Sequence, residues 1–306
     1  METLPLHDRF GVEIRGVDLR DVTADKHFPE IKDLFEKHSL LLFKNQSMDQ
    51  ETHNDFALLF GPLEDRVADA SGTEARKRPP IPKLSNLEKS GDGVMDAKSI
   101  QVLNLVANQF WHTDSTFLRT PALINVITAY VVPSSGGETE IASTRAALQD
   151  MPQAMRERAE NTVFLHSVLP SRIDTDKRLL ELPEVSRYQG QAWRAIWPNP
   201  VTGEKALYIA NHIYGARGED WGEARAFAEE LIEFCTRPEY RYLHAWEPGD
   251  VLVWDERATM HRGRPWPYEE ERTLASCCVS ARECDGLPLV TPDDGPIRDD
   301  EVFKVA

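Results

Sequence analysis

Apolar residues along the chain recur with two spacings, and the change from one to the other marks the elements. Residues 11–19 alternate well enough to enter the fold as a strand, since side chains on a strand point to opposite faces in turn. Phe28, Ile31, Leu34 and Phe35 carry a helical spacing over residues 28–38. Ser39-Leu-Leu-Leu-Phe-Lys then reads as a short buried strand. Ser47 and Asp49 are candidate N-caps for a helix bearing Phe56, Leu59 and Phe60, which Gly61-Pro62 ends. Residues 64–100 are charged and rich in Gly and Pro, with no sustained period, and are expected to form a long loop or lid. From residue 122 the chain turns β-rich, with strands expected at 122–132, 138–142, 162–168, 192–197, 206–210, 240–246, 250–255 and 272–280. Turns fall at Pro133-Ser-Ser-Gly-Gly137 and Pro248-Gly249. A helix starting at Ser143 or Thr144 carries Ala146, Leu148 and Met151. Another, over 221–235, puts Ala224, Phe227, Ala228, Leu231, Ile232 and Cys235 on or near one face. Residues 170–190 look irregular. There is no internal repeat and no long linker, so the expectation is a single domain over 1–306. Many short strands joined by turns predict a mainly β fold, a sandwich or jelly roll with flanking helices.

Composition narrows the partners. With 306 residues, 41% of them hydrophobic, the chain can bury a sizeable core. A formal net charge of −16 argues against a nucleic-acid partner, which would need a basic face. No basic-then-apolar leader and no run of about 18 apolar residues is present, so neither export nor a membrane span is expected. The four cysteines, at 235, 277, 278 and 284, lack zinc spacing and read as reduced thiols of a cytoplasmic protein. A homo-oligomer is left open.

The candidate chemistry begins in Asn108-Gln-Phe-Trp-His112-Thr-Asp114-Ser-Thr-Phe117. In extended backbone His112 and Asp114 would point to one side. A neutral imidazole nitrogen and a carboxylate oxygen suit a borderline divalent ion such as Fe(II). Taken alone, the pair also reads as a surface His near a surface Asp. Two ligands hold such an ion poorly, so a third donor is needed. His7, His27 and His38 precede the core, and His53 sits among helix formers. His166, His212 and His244 lie in or beside strands, where a structural histidine is the better reading. His261 follows the buried strand expected at 250–255 and a turn, where a jelly roll can return a side chain to the first pair. Two His and one Asp form the facial triad of non-haem iron oxygenases, leaving positions for a co-substrate and O2. Such iron draws electrons from a bidentate 2-oxo acid, whose far carboxylate calls for an Arg fork. Arg272, heading an apolar strand, fits; the alternative is an internal salt bridge to Asp or Glu.

These segments resemble the Fe(II)/2-oxoglutarate-dependent dioxygenases of the taurine dioxygenase / 2,4-dichlorophenoxyacetate dioxygenase family. The likeness is carried by residues 111–117, by Val132 to Thr139, by Gly249 to Arg257, by Met260-His-Arg-Gly263 and by Arg272, which follows His261 by 11 residues. Gly11 to Leu19 and Phe56 to Pro62 match the family's opening motifs, so the resemblance spans nearly the whole chain. It implies a double-stranded β-helix. It also implies that His112, Asp114 and His261 bind Fe(II), and that Thr139 and Arg272 hold the distal carboxylate of 2-oxoglutarate. By the same resemblance Trp254 shapes the pocket beside the co-substrate and Asn108 contacts the substrate; read from the residues alone, Trp254 is equally a buried core Trp and Asn108 a turn former. The implied reaction uses O2 to hydroxylate a small organic substrate, releasing succinate and CO2, with bond cleavage where the hydroxylated carbon bears a heteroatom. Retention of Asp114 disfavours a halogenase. One departure stands out: relatives that bind sulfonates or aryloxy-carboxylates carry a second Arg four residues after the first, where this chain has Ser276. Arg262, Arg264, Arg282, Lys83 or Lys89 could replace that cation, or the substrate is larger or less charged than taurine. Two other readings, a metal-dependent hydrolase and a cupin-like metal- or ligand-binding module, give Arg272 and Thr139 no duty.

Overall fold

The computed structural model describes residues 1–304 except 72, 89, 92, 183, 184 and 186, so Lys89 lies outside the described residues. Its main sheet has seven strands, in the spatial order Glu2–Pro5, Val12–Arg15, Leu40–Phe43, Val251–Asp255, Ala122–Val131, Thr273–Ser280 and Lys83–Ser85. All pairings are antiparallel except that of Val12–Arg15 with Leu40–Phe43. Central strands are buried on both faces, which explains why they read as continuous apolar runs rather than alternations. Leu41, Phe43, Val251 and Val253 face outward onto Ile31, Phe35 and Phe56 of two helices, Phe28–His38 and Gln50–Leu58, and onto Phe60 just beyond the second. Leu40, Leu42, Leu252 and Trp254 face inward and meet Ile141 and Trp246. Ile141 belongs to a second sheet, Arg241–His244, Thr139–Ser143 and Thr259–Gly263. The outer side of that sheet, through Ala142 and Met260, packs on the helices Thr144–Asp150 and Trp221–Cys235. The result is helix, sheet, sheet, helix, the jelly-roll arrangement expected from the pattern.

Local signals explain most element ends. Asp49, not Ser47, caps its helix by accepting the Thr52 N–H at 2.8 Å. Asp220 caps Trp221–Cys235 in the same way. The stretch 64–100 is not a bare loop: it holds the helix Arg66–Ser71 and the strand Lys83–Ser85, which closes the edge of the main sheet. Residues 170–190 likewise contain the helix Leu169–Thr175 and a 3-10 turn, Lys177–Glu181. Strands at Glu2–Pro5, Ile213–Ala216 and Thr259–Gly263 and helices at Ile100–Val106 and Gln153–Glu160 appear where none was expected.

A buried ionic cluster fixes the turn between Val251–Asp255 and Thr259–Gly263. Arg257 donates to both oxygens of Asp255 at 2.9 Å and to Glu36 at 2.8 Å. Burial would raise Glu36, but Arg257 and Lys32 beside it hold its carboxyl down at about 2. Removing the guanidinium would take both paired hydrogen bonds from the buried Asp255 carboxylate and leave Glu36 to Lys32 and Asn199 alone. Arg257→Ala is therefore expected to cost about 3–5 kcal/mol of stability in urea melts; a loss below about 1 kcal/mol would place the turn's support elsewhere.

Candidate metal centre

His112 and His261 are brought face to face by backbone, not by chance packing. The His112 N–H donates to the His261 carbonyl at 3.0 Å, and the His261 N–H returns the bond at 2.8 Å. His261 lies on Thr259–Gly263, which is itself paired along its length with Thr139–Ser143. Asp114 is not on a regular strand with His112, as the extended reading assumed. The chain turns immediately after it, with Ser115 at φ +58°, and this turn holds the carboxylate against the two rings. The His112 Nε2 lies 3.7 Å from Asp114 Oδ1, and the His261 Nε2 lies 3.7 Å from Asp114 Oδ2. One ligand atom from each residue can be chosen so that all lie within 4.8 Å of one another, a set that could hold a metal ion.

The surroundings suit a cation. His112 Nδ1 donates to the Phe110 carbonyl at 2.8 Å, which leaves Nε2 with its lone pair toward Asp114. His261 Nδ1 is buried without a hydrogen bond and faces Glu256 Oε2 at 3.9 Å. Glu256, fully buried, accepts the Asp114 N–H at 3.0 Å and the Trp254 indole N–H at 2.7 Å. Burial pushes both histidines down, His261 to about 3, so the imidazoles are neutral. Burial works to raise Asp114, but the two histidines, once protonated in the acid range where it titrates, together with Arg66 and the Asn125 amide outweigh it, and its carboxyl lies below the ordinary range. Neutral imidazoles with a carboxylate are the protonation states that bind a divalent ion. Asp114 Oδ2 accepts from Asn125 Nδ2 at 2.6 Å, and Ser276 Oγ donates to Asn125 Oδ1 at 2.9 Å.

Arg272 opens into the same cavity, a volume of about 850 Å³. Its guanidinium donates to the Gly137 carbonyl at 3.1 and 3.0 Å and lies 5.1 Å above the Trp266 ring. Among the described residues no carboxylate reaches it within ion-pair distance, which overturns the internal salt bridge as its explanation. Burial lowers its pKa to about 10, leaving it charged near neutrality. Gly137, at φ +73°, is needed where it stands: a Cβ would lie 3.0 Å from Arg272 Nε. Thr139 is buried on the same wall, its hydroxyl accepting the Trp246 indole N–H at 2.9 Å. Trp254 is fully buried with its ring 4.6 Å from His261.

The remaining expected residues divide. Asn108, in the 3-10 turn Ala107–Gln109, and Ser276 both line the cavity. Among the candidate replacement cations, Lys83 lines it too. Arg262 pairs with Glu140 and covers Trp111, Arg264 leans to Glu140 at 3.6 Å, and Arg282 pairs with Asp285; none of the three lines the cavity. Three cations that sequence reasoning passed over do line it, Arg66, Arg76 and Arg172, of which Arg76 is paired with Asp65. Arg66 pairs with Glu64 and donates to Ser115 Oγ at 3.1 Å, one residue from Asp114. Apolar wall comes from Phe117, Leu105, Leu182 and Val67.

Comparison with known proteins agrees with this geometry. A family described as "Taurine catabolism dioxygenase TauD, TfdA family" matches residues 2–278. An alpha-ketoglutarate-dependent 2,4-dichlorophenoxyacetate dioxygenase of Cupriavidus pinatubonensis is 32% identical over 277 residues, covering 88% of this chain and 94% of that protein. An (S)-phenoxypropionate/alpha-ketoglutarate-dioxygenase of Sphingobium herbicidovorans is 28% identical, covering 88% of this chain and 91% of its own length. Among solved structures, AAD-2 in complex with Mn(II) and N-oxalylglycine superposes with a TM-score of 0.84 at 29% identity, over 93% of this chain and 99% of that one.

Proposed function

The chain belongs to the TauD/TfdA family of alpha-ketoglutarate-dependent dioxygenases, double-stranded β-helix enzymes that use Fe(II), 2-oxoglutarate and O2, and from that premise we propose the duties of its own residues. His112, Asp114 and His261 hold the iron. Arg272, with the Thr139 hydroxyl beside it, takes the distal carboxylate of 2-oxoglutarate. The observation that carries this reading is a buried guanidinium, in the cavity that holds the triad, which no carboxylate among the described residues pairs with. The hydrolase and binding-module readings leave that charge unused. When bound, iron with 2-oxoglutarate and O2 supplies the oxidising power that hydroxylates an unactivated C–H, with release of succinate and CO2. The protein's part is to orient and to exclude water. The Phe110 carbonyl keeps His112 in the tautomer that presents Nε2, and Trp254 packs on the His261 ring to fix its plane. Its four cysteines are free, in keeping with work in the reducing cytoplasm.

The primary substrate, in this proposal, is a small organic acid with an apolar body, of the aryloxyalkanoate kind. Phe117, Leu105 and Leu182 offer the body an apolar wall, and Arg66 and Arg172 offer its acid group a positive one. The relatives act on 2,4-dichlorophenoxyacetate and (S)-phenoxypropionate. Hydroxylation of the carbon bearing the ether oxygen gives a hemiacetal, which collapses to a phenol and a 2-oxo acid. Substrate-stimulated O2 uptake, run with phenoxyacetate, phenoxypropionate, a neutral aryl ether and taurine, tests it. The aryloxyalkanoates are expected to stimulate uptake most. Taurine or the neutral ether as the best substrate would sink the proposal, and Arg66→Ala should raise the KM for the acid more than it lowers kcat.

A further inference from the structure

Ser276 stands where a substrate contact was expected, yet its hydroxyl is turned elsewhere. We infer that Ser276 and Asn125 form a relay that orients the Asp114 carboxylate and thereby sets how tightly the centre binds its metal. This rests on the reading of Asp114 as a metal ligand. Both are positioning residues, acting on the metal only through Asp114.

Asn125 is an isolated amide in the apolar strand Ala122–Val131, with 1% exposure between Ile124 and Val126. A buried amide is costly unless its hydrogen bonds are met. The strand register puts Asn125 between Trp254 on one side and Cys278 on the other, so Ser276 is its diagonal neighbour on the same face. The direction of the relay follows from chemistry. An ionised carboxylate only accepts, so Asn125 must turn Nδ2 to Asp114, which leaves Oδ1 to accept from Ser276. The bond to Asp114 Oδ2 is short, 2.6 Å, and the Cys278 thiol approaches the same oxygen at 3.8 Å. Glu256 holds the Asp114 backbone N–H from the other side. Among the described residues no hydrogen bond reaches Oδ1, which lies 3.7 Å from His112 Nε2. One oxygen is therefore pinned and the other is left for the metal. The backbone and the far oxygen are both fixed, so little torsional freedom remains to be lost when a metal binds. Outer partners of this kind are typically worth about 10- to 100-fold in metal affinity.

The test is a titration of the purified apo-protein with Co(II), followed by its visible spectrum, with Mn(II) as a second probe by electron paramagnetic resonance. Asn125→Ala is expected to weaken Co(II) binding by about 10- to 100-fold. Ser276→Ala should weaken it less, by about 3- to 10-fold, because the amide stays. Ser276→Thr keeps the hydroxyl and should restore wild-type affinity. The double variant should bind no worse than Asn125→Ala alone, since the serine acts through the amide. Metal-free thermal melts separate these effects from folding, and Ser276→Ala, at a partly exposed position, keeps the test alive if Asn125→Ala does not fold. Unchanged Co(II) affinity in a folded Asn125→Ala or Ser276→Ala would overturn the relay, as would losses that simply add in the double variant. A Ser276→Ala defect seen only in the KM of the primary substrate would return Ser276 to a substrate role. If Asp114→Ala itself binds Co(II) like wild type, the triad reading fails first; if Asp114→Ala loses the metal while Asn125→Ala keeps it, only the relay fails.

Discussion

Asp114→Ala and His261→Ala are each expected to abolish succinate formation while leaving the chain folded. The three donors converge within 4.8 Å, and nothing else among the described His, Cys, Asp and Glu residues forms a comparable group. Two remaining ligands would hold Fe(II) weakly and would leave its orientation toward the co-substrate undefined. The fold does not depend on either side chain. The bridge between His112 and His261 is made by backbone atoms, which alanine keeps. The core around Leu252, Ile127 and Ile141 is built of apolar side chains and includes none of the three donors. Turnover should fall to roughly 1% of wild type or less, with a thermal midpoint shifted by only a few degrees. Asp114→Asn separates charge from shape: it keeps the size of the side chain but forfeits the carboxylate, and it confronts the Asn125 amide with a second amide. It should be nearly as inactive as Asp114→Ala. Either Ala variant that keeps half of wild-type succinate release would remove that residue from the centre.

What could be read in the sequence and what could not have different physical causes. Leu40–Phe43 and Val251–Asp255 are legible because strands covered on both faces leave an apolar run that few other structures need. Glu2–Pro5 is polar and lies at the sheet edge, so its strand state comes from its partner Val12–Arg15, not from its own pattern. Lys83–Ser85 is similar, held by Thr273–Ala275. Ile100–Val106 begins at the edge of the stretch read as a loop, and it is the structure that shows its cap, Ser99, whose hydroxyl accepts the Val102 N–H. Thr259–Gly263 is hidden for another reason. It carries His261 and two positions that face solvent or the cavity rim, so chemistry has overwritten its alternation. The site shows the same division. The triad stands out because its residue types are rare together. Arg272 stands out because a charge on an apolar strand demands a partner. Glu256 and Asn125 needed the tertiary structure: Asn125 is one amide in an apolar run and Glu256 stands between two charged residues, Asp255 and Arg257, and only the packed sheets reveal their burial. Ser276 was found as a position, but not the direction in which its hydroxyl points. Arg66 sits in a stretch without periodicity, where no local signal marks one Arg above another.

Arg272→Ala is expected to raise the 2-oxoglutarate concentration needed for half-saturation by about 10- to 1000-fold, with metal affinity nearly unchanged. Among the described residues this guanidinium meets the Gly137 carbonyl and the face of Trp266. No counter-charge lies in ion-pair reach among the described residues, and burial has already pulled its pKa down to about 10. A carboxylate entering the cavity supplies the missing partner in a site where water screens little. A charge-assisted fork there contributes roughly 1.5–4 kcal/mol in all, the equivalent of about 10- to 1000-fold in affinity. Arg272→Lys keeps the charge but not the fork, and should recover only part of the loss. Gly137→Ala acts on the same contact from the other side. Its Cβ would press on Arg272 Nε at 3.0 Å in backbone that disfavours any side chain, so it too should weaken 2-oxoglutarate without touching the three donors. Anaerobic titration of 2-oxoglutarate against its charge-transfer band with Fe(II) reads the effect directly, because the band reports the co-substrate bound at the metal. A midpoint in Arg272→Ala equal to that of wild type would mean that the far carboxylate is anchored by another residue, and Lys83, Arg66 and Arg172 on the same cavity wall would be the next to replace.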